Sequence, residues 1–182
     1  MHRRSTLSSN QQIDTFPVRL MVYELHQDDP KKCTAARLRT FGLARKITSL
    51  KQIHPSSIVL NPTSQQRLTN ADRDAVELHG LVALDCSWNR SDQVFSLNIP
   101  GQTRRLPQLL AGNPTNYSVS GKLSTAEAFA AALFITGFEP EARRVLSLFS
   151  WGETFLSLNE EPLQAYASSK PEELGEIEAS FF

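Results

Sequence analysis

The segment LVALDCSW, residues 81–88, starts as a continuous apolar run and ends in polar residues. Four apolar residues bounded by Gly80 and Asp85 predict a strand that is covered on both faces, as in a parallel sheet. Farther along, KLSTAEAFAAALFIT (residues 122–136) predicts a helix from Thr125 that is apolar on nearly every side and central to the core. The turn-rich GNPTN (residues 112–116) lies between them. Loops at strand ends are where α/β folds bind ligands.

The remaining patterns predict strands before residue 110 and helices after it. Further strands are expected at residues 17–25 and 58–60, with another short apolar strand candidate at 104–110. Early helices are expected at 31–43, ending near Gly42, and at 70–79, with Thr69 as N-cap, Asp72 completing a capping box and Gly80 as the stop. Later helices are expected at 139–149, 153–158 and 163–167. The fold class is therefore α/β, with strands dominant before residue 110 and helices after it.

The length and composition are those of an ordinary globular protein. The 182 residues suffice for one compact domain or two small lobes, and the hydrophobic and charged fractions are 40% and 21%. No apolar run approaches the roughly 20 residues that span a membrane. Residues 1–15 are polar and lack the apolar core of a signal peptide, so a disordered lead-in and a cytoplasmic location are expected.

Charge is unevenly distributed along this neutral chain. Residues 1–60 carry ten Lys/Arg and four Asp/Glu, whereas residues 139–182 carry three Lys/Arg and nine Asp/Glu. The basic half contains candidate phosphate contacts, with two more arginines downstream: Lys31, Lys32, Arg37, Arg39, Arg45, Lys46, Arg104 and Arg105. Such a pattern is typical either of a polyanion-binding face or of a merely solvated positive face.

No metal or nucleoside-triphosphate site is predicted. The two cysteines, Cys33 and Cys86, form no Cys-x-x-Cys motif and are expected to be structural side chains. The four histidines lack metal-ligand spacing. Glycine-rich phosphate-binding motifs are also missing from the sequence.

Asp85 and Trp88 are the candidate functional side chains of the first loop. A carboxylate at a strand mouth can accept a proton during catalysis, or it can cap the turn that follows. An indole there can form the apolar wall of a ligand pocket or stack on a base, or it can belong to the core. The residues alone leave both alternatives open.

Six blocks together, in this order, carry a resemblance to a known family. They are DPKKCTAARL (29–38), VLNPTSQQRLTNAD (59–72), VALDCSW (82–88), RRLPQLLAGNPTNYS (104–118), KLSTAEAFAAAL (122–133) and FSWGETFLSLNEEPLQAY (149–166). The chain resembles the ribosome-maturation enzymes that place a 3-amino-3-carboxypropyl group on small-subunit ribosomal RNA. The pairing of DCSW with the NPxNY loop is the specific part of the match.

The resemblance implies a SPOUT-like α/β fold with a deep trefoil knot. It implies a mixed α/β N-terminal lobe over residues 16–105 that faces RNA. It also implies a helix-rich, knotted C-terminal lobe over residues 106–182 that binds S-adenosylmethionine, the aminocarboxypropyl donor. The implied acceptor is the imide nitrogen of a (pseudo)uridine in small-subunit RNA or a pre-ribosomal particle, and a monomer is expected. A SPOUT-like RNA methyltransferase and a non-catalytic RNA-binding assembly factor are the alternative functions.

The resemblance also implies roles for individual residues. Asp85 would act as general base, or would hold the donor and the acceptor base in register. The donor pocket would be formed by Thr34, Leu60, Pro62, Val82, Trp88, Leu106, Leu109, Gly121 and Thr125. Three positions depart from the family pattern: Gly121 stands where relatives often carry an aromatic residue, Ser118 where Gly is usual, and Asn61 where Ser is common.

Overall fold

A computed structural model describes residues 16–24, 33–85 and 98–182 of the chain. These residues form a parallel sheet of five strands: β1 (Leu20–Glu24), β2 (Ala44–Ile47), β3 (Ile58–Leu60), β4 (Leu81–Asp85) and β5 (Gln102–Arg104). The strand order is β2-β1-β4-β3-β5. Glu24 pairs in register with Asp85, so the carboxyl ends of the two neighbouring strands β1 and β4 lie side by side.

Seven α-helices lie within the same described ranges. They are α1 (Thr34–Thr40), α2 (Arg73–His79), α3 (Thr125–Ile135), α4 (Glu139–Leu146), α5 (Gly152–Leu158), α6 (Glu160–Ser168) and α7 (Leu174–Phe181). The described residues also form short 3-10 helices at Leu50–Gln52 and Asn70–Asp72. The α/β class and the order of strands followed by helices are confirmed.

The predicted ends of the first two helices carry the glycines and the capping residues that the sequence indicates. Gly42 and Gly80 end α1 and α2 with φ of 71° and 84°, a left-handed conformation that glycine adopts without strain. The backbone N–H of Thr69 donates to the Asp72 carboxylate at 3.0 Å, as the capping box predicts. The helix expected over 70–79 therefore forms as one 3-10 turn followed by α2.

The central strand β4 is covered on both faces, as its apolar run predicts. Leu81 and Ala83 belong to the large core cluster, whereas Val82 and Leu84 belong to a smaller cluster on the opposite face. Nine of the eleven residues of α3 are buried, so this helix is the centre of the large cluster. That cluster joins side chains from before and after residue 106, and the division into two lobes stays a prediction.

Three features differ from the sequence-based expectation. The sheet ends at Arg104, so the described residues 106–110 form no strand, and the short segment QTR (102–104) pairs with β3 instead. Strand β2 was not predicted because ARKI is a charged segment at the sheet edge, where strands need no apolar alternation. Helix α7 carries three acidic or polar positions between its apolar residues, which hid its periodicity. Within the described ranges, no helix is long and apolar enough to cross a bilayer.

Candidate active site

The carboxyl end of β4 meets the first residues of two helices. The Thr125 hydroxyl, at the start of α3, donates to Asp85 Oδ1 at 2.7 Å, and the Cys33 thiol, the N-cap of α1, donates to Asp85 Oδ2 at 3.2 Å. Thr34 Oγ1 accepts from the backbone N–H of Ala126 at 3.2 Å, which ties α1 directly to α3. The structure thus brings together three residues that the sequence predicted separately, Thr34, Asp85 and Thr125.

Two neighbouring carboxylates at this sheet edge differ in how their charges are balanced. Glu24 faces two cations, with Oε1 2.6 Å from Arg39 Nε and Oε2 3.0 Å from Lys46 Nζ. Asp85 accepts from a hydroxyl and a thiol, and no described cationic side chain forms an ion pair with it. Since neutral donors orient a carboxylate without cancelling its charge, Asp85 remains able to attract a cation or to accept a proton.

The environment of Cys33 keeps its thiol protonated. Partial burial, and then the nearby Asp85 charge, raise the pKa of Cys33 to about 11. The thiol is therefore a hydrogen-bond donor to Asp85 at neutral pH and not a nucleophile. The sequence predicted only a structural role for Cys33 and not its contact with Asp85. Its position directly before Thr34, in the first block of the family resemblance, was the feature that could have indicated this contact.

The loop between β5 and α3 is organised by one buried carboxylate. Glu127, which is fully buried, accepts hydrogen bonds from the backbone N–H groups of Gly112, Asn113 and Ser124 and from the Asn113 side chain, all at 2.7–2.9 Å. Gly112 packs against α5, where an added Cβ would lie 2.6 Å from the Phe155 nitrogen. The predicted GNPTN turn is therefore rigidly joined to the helix that begins at Thr125.

Side chains from the C-terminal helices hold the preceding part of this loop. The Asn159 amide accepts from the Leu110 N–H at 2.7 Å and donates to the Leu110 carbonyl at 2.8 Å, as a paired strand would. The Tyr166 hydroxyl donates to the Gln108 carbonyl at 3.1 Å, and Glu178 accepts from the Gln108 N–H at 2.9 Å. None of these three residues was predicted, because each lies far away in sequence, Asn159 between α5 and α6 and the other two on α6 and α7.

Glu178 also binds two arginines. Arg67 Nε lies 2.7 Å from Glu178 Oε2, and Arg105 Nη1 lies 3.2 Å from Oε1. Burial alone would raise the pKa of Glu178, but hydrogen bonds from Arg105 and Arg67 hold it below its ordinary value. These contacts therefore stabilise the fold at neutral pH, and that stabilisation is lost as the pH falls through the acidic range.

The other predicted donor-pocket residues are only partly gathered around Asp85. Leu60 and Leu109 belong to the large core cluster, and Leu106 packs against it. Val82 instead lies in the cluster on the opposite face of the sheet, and Pro62 is exposed. Gly121 is exposed at φ 73° and donates its N–H to the Leu109 carbonyl at 3.0 Å. Trp88 and Cys86 lie outside the described residues.

The predicted phosphate contacts fall into two groups. Arg37 and Arg45 have exposed side chains. Arg39 and Lys46 are drawn to Glu24, Arg105 is bound by Glu178, and Arg104 lies 3.0 Å from Asp72. The arginines at 104 and 105 therefore contribute to the internal structure. Lys31 and Lys32 lie outside the described residues.

Comparison with known proteins assigns the family. A family model described as "Ribosome biogenesis protein, C-terminal" matches residues 58–182. A 16S rRNA aminocarboxypropyltransferase from Vulcanisaeta distributa is 46% identical, over 82% of each chain, and one from Methanosarcina acetivorans is 42% identical, over 90% of this chain and 94% of the relative. The solved structure of the SAM-dependent rRNA:acp-transferase Tsr3 from V. distributa has a TM-score of 0.83 at 43% identity, covering 88% of this chain and 89% of that one. The chain belongs to this family of ribosome-biogenesis aminocarboxypropyltransferases.

A second, shorter match carries no function for this chain. A model described as a possible Fer4-like domain in RNase L inhibitor matches residues 18–50. Iron–sulfur clusters are held by several cysteine thiolates, and this span contains one cysteine, Cys33. In the part of the chain that the structure describes, no group of three His, Cys, Asp or Glu side chains could hold a metal ion.

The raised pKa of Cys33 predicts slow and strongly pH-dependent alkylation. In a Cys86→Ser background, where Cys33 is the remaining thiol, iodoacetamide should react at pH 8 about a hundredfold more slowly than with a free peptide thiol, because little thiolate is present. The rate should keep rising up to about pH 11. Adding Asp85→Asn should accelerate the reaction, since it removes the repelling charge. A folded protein that reacts at the free-thiol rate, with a midpoint near the ordinary value, would contradict this description.

Proposed function

We propose that this chain transfers the 3-amino-3-carboxypropyl group of S-adenosylmethionine to the imide nitrogen of a (pseudo)uridine in small-subunit ribosomal RNA. The relatives named 16S rRNA aminocarboxypropyltransferase support the reaction, and the solved SAM-dependent relative supports the donor. The observation that carries the proposal to particular residues is the Asp85 cluster. There, a carboxylate without a described cationic partner lies between the first turns of α1 and α3.

The residues of this cluster suit the charged end of the donor. S-adenosylmethionine carries a sulfonium, an ammonium and a carboxylate close together. The Asp85 charge would attract the two cationic groups, while the hydroxyls of Thr34 and Thr125 could hydrogen-bond to the polar tail. Leu60, Leu106 and Leu109 would form the apolar wall against the adenosine, together with Trp88.

Positioning is the main contribution expected from this chain. When bound, the donor supplies a methylene carbon made reactive by the adjacent sulfonium, although a more accessible methyl carbon is attached to the same sulfur. The imide nitrogen would form a bond to this methylene as the methylene–sulfur bond breaks, so that methylthioadenosine leaves with the electron pair and the imide proton goes to a base. Residues that hold the amino-acid tail at the acceptor, and cover the methyl, therefore decide which group is transferred. Asp85 would also accept the weakly acidic imide proton of the uridine, or fix the donor and the base in register.

The RNA would contact the exposed basic residues of the N-terminal half. Arg37 and Arg45 are the described members of this surface, and Lys31 and Lys32 would extend it. Arg39 and Lys46 would contribute less because Glu24 offsets their charges. The proposed RNA contacts thus lie within residues 16–105, whereas the donor site combines residues from both parts of the chain, with Thr34 and Asp85 before residue 106 and Thr125 after it.

A SPOUT-like trefoil knot forms part of the proposal. In support, the strand order is β2-β1-β4-β3-β5, and the chain leaves β5 at the sheet edge but returns to the central strand at Thr125. Knotted chains are rare, so the family resemblance motivates this feature. If an experimentally traced backbone does not pass through the loop that connects β3 and β4, the chain is not knotted in this way and this part of the proposal is wrong. A monomeric, cytoplasmic enzyme that needs no metal completes the proposal.

Incubating the protein with small-subunit rRNA and S-adenosylmethionine labelled at either its carboxyl or its methyl carbon tests the reaction. The carboxyl label should enter the RNA and the methyl label should not. Transfer of the methyl label alone would indicate an RNA methyltransferase. Salt-sensitive RNA binding with neither transfer would indicate an assembly factor, and either result would overturn the proposal.

The role of Asp85 is tested in the same assay with Asp85→Asn, which preserves shape and removes the charge. Because the variant loses both the proton acceptor and the attraction for the donor, kcat/KM should fall by roughly 10²- to 10⁴-fold. Asp74→Asn is the matched control, since Asp74 is exposed on α2 and its variant should retain full activity. Equal activity of the two variants would show that Asp85 has no catalytic role.

The two groups of arginines should respond differently to substitution. Arg45→Gln should weaken rRNA binding and reduce the slope of log K against log salt by about one, without changing thermal stability. Arg105→Gln should instead lower the free energy of unfolding by about 1–3 kcal/mol, because Glu178 loses a hydrogen-bonded partner. Salt-dependent binding titrations and denaturant unfolding of both variants measure these effects. A reversed pattern would show that the ion pair to Glu178 opens in solution.

A further inference from the structure

Four side chains outside the donor site, one arginine and three aromatic residues, form a continuous set of contacts. Arg37, in the last turn of α1, has its guanidinium carbon 5.5 Å from the ring centre of Phe41 and 5.7 Å from that of Phe149. The Phe149 ring stacks on Trp151 with centroids 4.8 Å apart. We call these four residues the arginine–aromatic patch.

The patch is open to solvent where a folded protein usually hides such rings. Phe41 is 55% exposed, and Arg37 is also exposed. Phe149 and Trp151 are half-buried, so each offers part of its ring at the surface while the rest packs on the core. Exposed apolar surface that is contiguous in this way marks an interaction site more often than isolated surface residues do.

The position of the patch relates it to the proposed active site. Helix α1 begins beside Asp85, at Cys33 and Thr34, and its C-terminal cap is Phe41. Seven residues of helix separate Thr34 from Phe41, which corresponds to about 10 Å along the axis. Phe41 lies at the far end of α1 from Asp85, just before the amino end of β2, so an extended single strand that follows α1 would reach both Asp85 and the patch.

We propose that the arginine–aromatic patch binds unpaired bases of the ribosomal RNA next to the nucleotide that is modified. Bases in single strands and loops stack on aromatic rings and on guanidinium planes, whereas paired bases within a duplex expose no free face. Arg37 adds charge complementarity to the phosphates, in the half of the chain that carries the excess of basic residues. The patch would keep the target loop open and hold it beside Asp85. This inference rests on the proposed function for the identity of the RNA.

Binding of oligouridine and of an RNA duplex of equal length to wild-type protein and variants tests the patch. Phe41→Ala should weaken oligouridine binding roughly 5- to 150-fold, the range found for one base–aromatic stack. It should leave duplex binding within about twofold, because the cationic surface is unchanged. Phe41 is mostly exposed, so the variant should unfold at the wild-type temperature.

Two further variants separate stacking from charge and from general apolar contact. Arg37→Lys keeps the charge but loses the planar group, and should weaken oligouridine binding nearly as much as Arg37→Gln. Leu78→Ala is the matched control, since Leu78 is an apolar side chain, 66% exposed, on α2. It should leave oligouridine binding unchanged.

Oligouridine binding by Phe41→Ala that is as strong as that of Leu78→Ala would overturn the proposal. Equal losses of affinity for oligouridine and for the duplex in Phe41→Ala would also overturn it. If Phe41→Ala loses binding to pre-ribosomal particles but still binds oligouridine, the patch binds a protein partner instead. The outcome is independent of the labelled-donor assay. If no aminocarboxypropyl group is transferred, the proposed function is wrong. The preference of the patch for single strands is still tested, because it is measured by the binding of Phe41→Ala to oligouridine and to the duplex.

Discussion

The hydrogen bond from the Thr125 hydroxyl to the Asp85 carboxylate joins the central strand of the sheet to the central helix of the core, and the candidate site is built around it. Asp85 is the last residue of the central strand, and Thr125 is the first residue of the helix at the centre of the core. Bonds of this kind to a charged group contribute about 1.5–3 kcal/mol each. The Cys33 thiol and the bond from Ala126 to Thr34 add α1 to the same junction. A strand end and two helix starts thereby converge on one carboxylate, and its placement follows from the fold.

Two buried glutamates hold the segment of chain that leads to α3. Glu127 orders the loop before α3, and Glu178 in α7 holds Arg67, Arg105 and the backbone of Gln108. A carboxylate surrounded by donors rigidifies a loop because breaking any one bond leaves buried charge unsatisfied. Glu178 therefore neutralises part of the positive charge of Arg67 and Arg105 inside the molecule. Among the described residues of the basic half, Arg37 and Arg45 stay exposed, as do Arg19 and Lys51, and such side chains are available to RNA.

Much of the fold could be predicted because its signals are local. The apolar run before Asp85, the capping box at Thr69 and the glycines after α1 and α2 each act within a few residues. Strand β2 and helix α7 could not be predicted in this way, since their stability comes from pairing and from packing with distant partners.

The candidate site likewise contains residues that could be predicted and residues that could not. Thr34, Asp85 and Thr125 could be identified from the family resemblance, but the thiol of Cys33, the carboxylate of Glu127 and the amide of Asn159 act across separations in sequence that periodicity does not report. The resemblance also places Val82 at the pocket. Strand alternation turns its side chain to the face opposite Asp85, so its backbone would make any contact with the donor, and this role stays a prediction.

An experimental structure of the protein with S-adenosylmethionine bound would test the role of Asp85 most directly. The ammonium group of the donor should lie about 3 Å from the Asp85 carboxylate, with the amino-acid tail between the first turns of α1 and α3 and the methyl group covered. A donor whose tail lies away from Asp85, with its methyl group presented to the open side of the site, would show that Asp85 does not position the donor.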